Sequence, residues 1–276
     1  MSRHRSRTGH VLAKRRFGQH FLHDPRVIER ILAAIEPRST DRILEIGPGR
    51  GALTAPLLER VDKLYAVEVD RDLADVLAPR LSEHPGFELH RADILTFDLE
   101  GVLGPRSLRV VGNLPYNIST PVLFRMLSFS THLRDMHFML QREVVARMAE
   151  PPGSKLYGRL SVMVQARARV QLLFDVAPGA FAPPPKVWST VVRLIPYRHP
   201  ATADIPMTFL EGIVARAFAQ RRKTLRNSLR SLLEGVPEPR RRNLGLERRP
   251  ETLSLEDFVA LARVVREHGI THCPCG

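Results

Sequence analysis

Arg42-Ile-Leu-Glu-Ile-Gly-Pro-Gly-Arg-Gly51 decides the fold. Its first half is a short apolar run with β character. Its second half is a glycine-rich turn, after which Ala52–Arg60 carries helical spacing. The same alternation continues outward. Lys63–Val69, Phe87–Arg91, Leu108–Gly112 and Met136–Gln141 read as further strands, and Asp72–Leu81 reads as a helix between two of them. Strands alternating with helices predict an α/β fold with a mostly parallel sheet. Val170–Val176 and Ser189–Ile195 add a C-terminal antiparallel hairpin at the sheet edge, bringing the strands to seven. The loop between them, Pro178-Gly-Ala-Phe-Ala-Pro-Pro-Pro185, is stiffened by three consecutive prolines. Phe181 is therefore expected to be held exposed by the loop rather than buried under it.

Around Pro196–Pro206 the pattern changes, and only helical stretches follow: Thr208–Ala219, Thr224–Leu233, Pro239–Leu244 and Ser254–His268. Ser254 with Asp257 resembles a capping box opening the last of them. This predicts a larger α/β domain over residues 12–202 and a small all-α domain over 203–268. Residues 1–11 and 269–276 are expected to be tails. A chain of 276 residues suits that division, and 43% hydrophobic content is ordinary for a globular protein. No apolar run approaches the roughly 20 residues needed to span a bilayer, and no apolar core follows the basic N-terminus. The two cysteines, Cys273 and Cys275, lie in one short tail and read as reduced thiols. The expectation is a cytoplasmic protein with no metal site.

Charge is the strongest compositional signal: 42 Lys and Arg against 29 Asp and Glu give +13. The excess is clustered. Residues 1–16 hold Arg3, Arg5, Arg7, Lys14, Arg15 and Arg16 without an acid, and Arg216–Arg230 holds Arg221, Arg222, Lys223 and Arg226, again without one. A solvated surface explains scattered charge better than acid-free runs, and the basic helices lack the aromatic face of a membrane anchor. A nucleic-acid partner accounts for the pattern.

The glycine turn is spaced G-x-G-x-G rather than the dinucleotide G-x-G-x-x-G. Gly47 and Gly49 allow backbone to approach a ligand, and Glu68, at the end of the second strand, suits the two hydroxyls of a ribose. That feature fits NAD and S-adenosylmethionine alike. Asp93, at the end of the third strand, is placed to accept from an adenine amino group. After the fourth strand comes Asn113-Leu-Pro-Tyr116: an amide, a stiff turn and an aromatic ring, a planar site for a planar base. Asn and Pro are also ordinary turn residues, so the tetrapeptide alone leaves both readings open.

Taken together, Phe17-Gly-Gln-His-Phe-Leu22, Glu45–Gly51, Asn113-Leu-Pro-Tyr-Asn-Ile118, Pro178–Val187 and Ala217–Leu229 resemble the successive motifs of the ribosomal RNA adenine dimethyltransferases, over about residues 12–266. The last stretch and the proline-rich loop are similar to the branch acting on small-subunit (16S) rRNA. The resemblance implies a Rossmann-like S-adenosylmethionine-dependent methyltransferase domain and a helical RNA-binding domain. The implied reaction is conversion of two adjacent adenosines near the 3′ end of 16S rRNA, in an immature small subunit, to N6,N6-dimethyladenosine. Implied cofactor contacts are His20, Leu22, Gly47, Gly49, Glu68, Asp93 and Asn113. Many members carry Asn where His20 stands, so a contact there through backbone or through side chain stays open. Asn113 and the Leu114 carbonyl would receive the amino protons, Tyr116 and Phe181 would stack on the target base, and Arg221, Arg222, Lys223, Arg226 and Lys186 would meet RNA. A monomer is expected. The competing readings are a large-subunit rRNA methylase of the antibiotic-resistance type, an NAD-dependent oxidoreductase and a non-catalytic ribosome-assembly factor.

Overall fold

The computed structural model describes residues 13–14, 17–104 and 108–269. The basic stretch before residue 13, Arg15, Arg16, His272 and the two cysteines lie outside the described residues.

Strands and helices fall close to the sequence expectations. The strands are β1 (Phe21–Leu22), β2 (Arg42–Ile46), β3 (Lys63–Val67), β4 (Phe87–His90), β5 (Leu108–Asn113), β6 (Leu133–Gln141), β7 (Ala168–Val176), β8 (Phe181–Ala182) and β9 (Ser189–Pro196). The helices of the N-terminal half are α1 (Pro25–Ile35), α2 (Thr54–Leu58), α3 (Arg71–Leu81), α4 (Ser119–Ser128), α5 (Arg142–Ala149) and α6 (Arg159–Gln165). Seven strands form one sheet in the order β4-β3-β2-β5-β6-β9-β7. The pairs β4/β3, β3/β2, β2/β5 and β5/β6 are parallel, whereas β6/β9 is antiparallel, so the C-terminal hairpin sits at the edge as expected. Ile43, Leu44, Glu45 and Ile46 are consecutively buried. Because alternate residues of a strand face opposite sides, both faces of β2 are covered, as parallel sheets require.

The chain runs from β2 outward through β3 to β4, then crosses back to lay β5 on the other side of β2. That reversal leaves a crevice at the carboxyl ends of the central strands, where open α/β sheets take ligands.

At the opposite ends of β5 and β6 lies a buried charge cluster. Arg109 is 2% exposed; its Nε and Nη2 donate to the two oxygens of Asp135 at 2.8 and 3.0 Å, its Nη1 to Asp41 at 2.8 Å, and its Nη2 also to the Ile35 carbonyl at 2.6 Å. Arg193 and Arg134 complete the set on Asp135 and Asp41. Burial pushes Asp135 upward, but the Arg109 and Arg193 guanidiniums outweigh it, so its carboxyl sits below the usual range. Burial lowers His137 to about 4, so its ring stays neutral near pH 7. This cluster explains why β6 begins three residues before the expected Met136: Asp135 is tolerable in a strand interior because Arg109 faces it across the β5/β6 pair.

Cα packing divides the chain into two units, the described residues of Met1–Val145 with Gln171–Pro196, and those of Ala146–Val170 with Tyr197–Gly276. The second unit contains α7 (Met207–Ala219), the short helices α8 (Leu225–Ser228), α9 (Arg230–Leu233) and α10 (Glu238–Arg241), and α11 (Leu255–Glu267). Ser254 caps α11 in a reciprocal box with Asp257. The chain therefore changes unit near residue 196, and residues 146–170, expected within the larger domain, pack with the helical one. Tyr157 meets Phe218 of α7 with ring centroids 6.2 Å apart, and Arg221 donates to the carbonyls of Lys155 and Tyr157.

Replacing Arg109 by Leu leaves Asp135 and Asp41 with one cation each in a buried setting. It is expected to cost about 3–5 kcal/mol in chemical denaturation. A second change, Asp135→Asn, should recover part of that loss; strictly additive effects would show that the two groups do not support each other.

Candidate active site

The carboxyl ends of β2, β3, β4 and β5 surround one pocket, whose lining includes His20, Leu22, Gly47, Gly49, Glu68, Asp93, Asn113, Leu114 and Tyr116. Each strand contributes through the turn that ends it. After β2, Gly47 and Gly49 adopt φ of +67° and +58°, a region that disfavours side chains. A Cβ on Gly47 would meet nothing within 4 Å, so the backbone there is open to the pocket. Gly49 N–H donates to Glu68 Oε2 at 3.0 Å, and Asp70 N–H donates to Oε1 at 2.9 Å. Glu68 thus fastens the glycine turn to the end of β3 while keeping further lone pairs on both oxygens. The helix expected directly after the turn starts only at Thr54 and runs five residues. With the Gly49 amide already committed to a carboxylate, the turn is a poor cradle for a pyrophosphate.

Three carboxylates line this pocket in an otherwise basic protein: Glu45, Glu68 and Asp93. Asp93 accepts from Leu95 N–H through Oδ1 at 2.9 Å. Glu45 was quoted in the sequence only as part of the glycine motif, and the structure gives it a more particular character. It is 2% exposed, and its Oε2 has no hydrogen-bond partner. Burial raises its pKa to about 7, against the pull of the Thr54 hydroxyl and with the like charge of Glu68 acting the same way as burial. Burial also raises Glu68, against the pull of the backbone donors.

Asn113 ends β5, half-buried. Its Nδ2 donates to the His20 carbonyl at 2.9 Å. A carbonyl can only accept, so this contact fixes the amide's orientation and leaves Oδ1 as the acceptor on the remaining side. The Tyr116 hydroxyl is 2.8 Å from Ser189 Oγ, which anchors one end of the ring, and burial raises its pKa further above neutrality. The His20 ring lies 5.8 Å from that of Tyr116, and its Nδ1 meets the Pro183 carbonyl at 2.7 Å. His20 therefore works through its backbone toward Asn113 and through its ring toward the proline loop.

Sequence reasoning passed over the residues that hold this wall in place. Gln19 donates to Asp70 at 2.9 Å and accepts from Lys14 N–H at 2.8 Å, and the Lys14 ammonium lies 2.5 Å from Asp70 and 2.7 Å from Asp72. Gln19 belongs to the quoted Phe17–Leu22 motif, but its partners lie on a different strand–helix junction, which no local pattern reveals.

Phe181 requires a correction. It is 3% exposed, packed in the cluster of Leu22, Ile31 and Leu32, and absent from the pocket lining. The extended backbone that suggested exposure instead makes Phe181 a strand residue: β8 pairs antiparallel with β1, setting Leu22 opposite Phe181 and Phe21 opposite Ala182. The residues predicted to meet RNA lie elsewhere. Lys186 is exposed on the proline loop, and Arg221, Arg222, Lys223 and Arg226 are exposed in the helical unit. Two of these are already engaged, Arg221 with the Lys155 and Tyr157 carbonyls and Arg226 with Glu247 at 2.5 Å.

A family model described as ribosomal RNA adenine dimethylase matches residues 11–264. The chain belongs to that family. Among curated relatives, the ribosomal RNA small subunit methyltransferase A of Nitrosococcus oceani is 55% identical, over 91% of this chain and 95% of its own length. That of Pseudomonas syringae pv. syringae is 53% identical, over 94% and 97%. Among solved structures, a dimethyladenosine transferase from Plasmodium falciparum superposes with a TM-score of 0.80 at 25% identity, covering 91% of this chain and 98% of that one. The 23S rRNA methyltransferase ErmE superposes with a TM-score of 0.65 at 26% identity, over 89% and 99%. The chain is thus an rRNA adenine dimethyltransferase with the Rossmann-like sheet of such enzymes.

The raised pKa of Glu45 makes a prediction for the chain without added ligand. A carboxyl whose folded pKa exceeds its ordinary value contributes stability that is intact below about pH 4.5 and lost as pH rises through about 7. Glu45→Gln should therefore gain stability over the parent between pH 5 and 8, reaching at most about 3 kcal/mol. Thermal melts across that range check it, and a pH-independent difference between the two proteins would refute it.

Proposed function

We propose that this chain transfers methyl groups from S-adenosylmethionine to N6 of two adjacent adenosines near the 3′ end of 16S rRNA, in an immature small subunit. The observation that carries the acceptor chemistry is the fixed Asn113 amide. The choice of subunit rests on the relatives at 53–55% identity, whose names specify the small subunit. The cytoplasm and a monomeric state belong to the same proposal; among the described residues no helix is long and apolar enough to cross a membrane.

The pocket fits the donor. S-adenosylmethionine carries an ammonium and a sulfonium, and the pocket offers the unpartnered Glu45 Oε2 together with Glu68 and Asp93. In this reading Glu68 receives the ribose hydroxyls, Asp93 the adenine amino group, and the backbone at Leu22, Gly47 and Gly49 closes around the nucleoside. Glu45 faces the cationic end, where a nearby positive charge restores its ionisation. When bound, the donor supplies an electrophilic methyl group.

The rest of the chemistry falls to the chain. An adenine amino group is a poor nucleophile because its lone pair is delocalised into the ring. Asn113 Oδ1 and the Leu114 carbonyl accept its two N–H bonds in the first transfer, and one of them accepts the single remaining N–H in the second, which favours a more pyramidal nitrogen and stabilises the charge that develops there. No strong base is required, since the cationic product loses its proton afterwards. Tyr116, steadied by Ser189, provides a face for the base, a contact worth about 1–3 kcal/mol. Alignment supplies much of the remainder, up to roughly 7–11 kcal/mol.

Incubating the protein with labelled methyl donor and under-methylated small subunits, then mapping the modified nucleotides, tests the whole reading. Dimethyladenosine at two adjacent positions near the 16S 3′ end is expected, and label in large-subunit rRNA would overturn the assignment. In the same assay Asn113→Ala should lower turnover by at least about 100-fold, with donor affinity changed far less. Unchanged turnover would remove Asn113 from the mechanism.

Arg222 and Lys223 have no ion-pair partner among the described residues, in contrast with Arg221. Replacing both by Ala should flatten the salt dependence of RNA binding by roughly 1.5 in log–log slope. Arg221→Ala should instead chiefly lower the melting temperature. An unaltered salt slope in the double variant would show that those two charges are spectators.

A further inference from the structure

The chain's single tryptophan is left exposed at the start of β9, where the next residue meets Tyr116 of the pocket wall. Trp188 is 46% exposed and directly precedes Ser189, the residue that holds the Tyr116 hydroxyl. Its position is set by backbone: the Trp188 carbonyl accepts from Arg142 N–H at 3.0 Å, joining the start of β9 to the first residue of α5. The Arg142 guanidinium lies 5.9 Å from the indole centroid, and its side chain is 60% exposed. It lies 3.8 Å from the half-exposed Asp175, at the limit of an ion pair. Lys186 and Val187, which precede the indole, are exposed as well.

A scattered exposed hydrophobe needs no explanation. This one differs in its company. A large flat ring sits beside one guanidinium and close in sequence to an ammonium, both open to water, one residue from the group that anchors Tyr116. Water gives an indole no reason to remain exposed, whereas an unpaired base stacks on it irrespective of sequence, and a neighbouring phosphate meets the cations. A protein partner would be expected to need a broader apolar surface than Trp188 and Val187 provide.

We infer that Trp188 and Arg142 form a stacking platform for an unpaired RNA nucleotide flanking the target adenosine, with Lys186 or Arg142 meeting its phosphate. The platform holds the strand beside the pocket while the target base enters against Tyr116. It therefore acts on RNA capture and leaves the transfer step untouched. The inference rests on the RNA-methylating reading and adds to it a second base subsite.

Because Trp188 is the chain's single tryptophan, its fluorescence reports the platform directly. Titrating the full chain with a short unpaired oligoadenylate at fixed ionic strength should quench the emission saturably. In the methylation assay with under-methylated small subunits, Trp188→Ala should raise KM for RNA about tenfold, with kcat and donor affinity unchanged. Trp188→Phe should restore most of the loss, and Arg142→Gln should raise KM less and weaken its salt dependence. Emission unaffected by oligoadenylate, or a wild-type KM in Trp188→Ala, would overturn the platform while leaving the functional reading intact. Absence of methylation by the parent chain would overturn the functional reading, whereas the oligoadenylate titration still decides whether the indole binds a base.

Discussion

One hydrogen bond governs the acceptor side of the site: Asn113 Nδ2 to the His20 carbonyl. An amide rotated by half a turn would set two oxygens against each other, so the bond selects one orientation and leaves the other end of the amide for the substrate. The bond in turn depends on where His20 is held. Immediately beyond it, Phe21 and Leu22 pair with Ala182 and Phe181, the His20 ring meets the Pro183 carbonyl, and Gln19 is tied to Asp70. The residues before α1 and the loop before β9 are remote in sequence, yet together they set the geometry of a side chain belonging to neither.

The donor side follows a different logic. Glu68 binds the glycine turn through one oxygen and the start of α3 through the other, so the loop after β2 and the loop after β3 are coupled through a single carboxylate. Beneath them, Glu45 is held where burial and the charge of Glu68 disfavour its ionised form, a cost that a cationic occupant would relieve. The pocket is thus tuned by charge as well as by shape, in the sense opposite to the protein's overall balance.

Much of this was legible in the sequence because the relevant signals are local. The strand–glycine–helix unit, the acids at successive strand ends and the Asn-Leu-Pro-Tyr turn are contiguous, and the pocket assembles them as the parallel sheet predicts. What escaped depends on partners remote in the chain. Asp135 looked like a residue outside the strand because nothing nearby revealed Arg109. Phe181 looked exposed because proline stiffness was read as a loop property, whereas a stiff extended segment is also a ready strand partner. Thr224–Leu233 read as one helix, but it breaks at Leu229, after the amides of Leu225 and Arg226 have been drawn to the carbonyls of Arg248 and Leu246.

The excursion of residues 146–170 bears on how such a chain can be taken apart. The backbone leaves the sheet unit after Val145, returns at Gln171 and departs again after Pro196. A cut between the two units thus has no single place to fall. Truncation after residue 202 would retain α6 and Tyr157 while discarding α7 and Phe218, baring the face of α6 that packs on α7 and the ring of Tyr157 to water. The fragment would carry an apolar scar prone to aggregation, and the helical unit expressed alone would lack one of its own segments. Catalytic and helical units are interleaved in the chain, so they cannot be exchanged as cassettes, and an insertion or fusion must respect three crossings rather than one hinge.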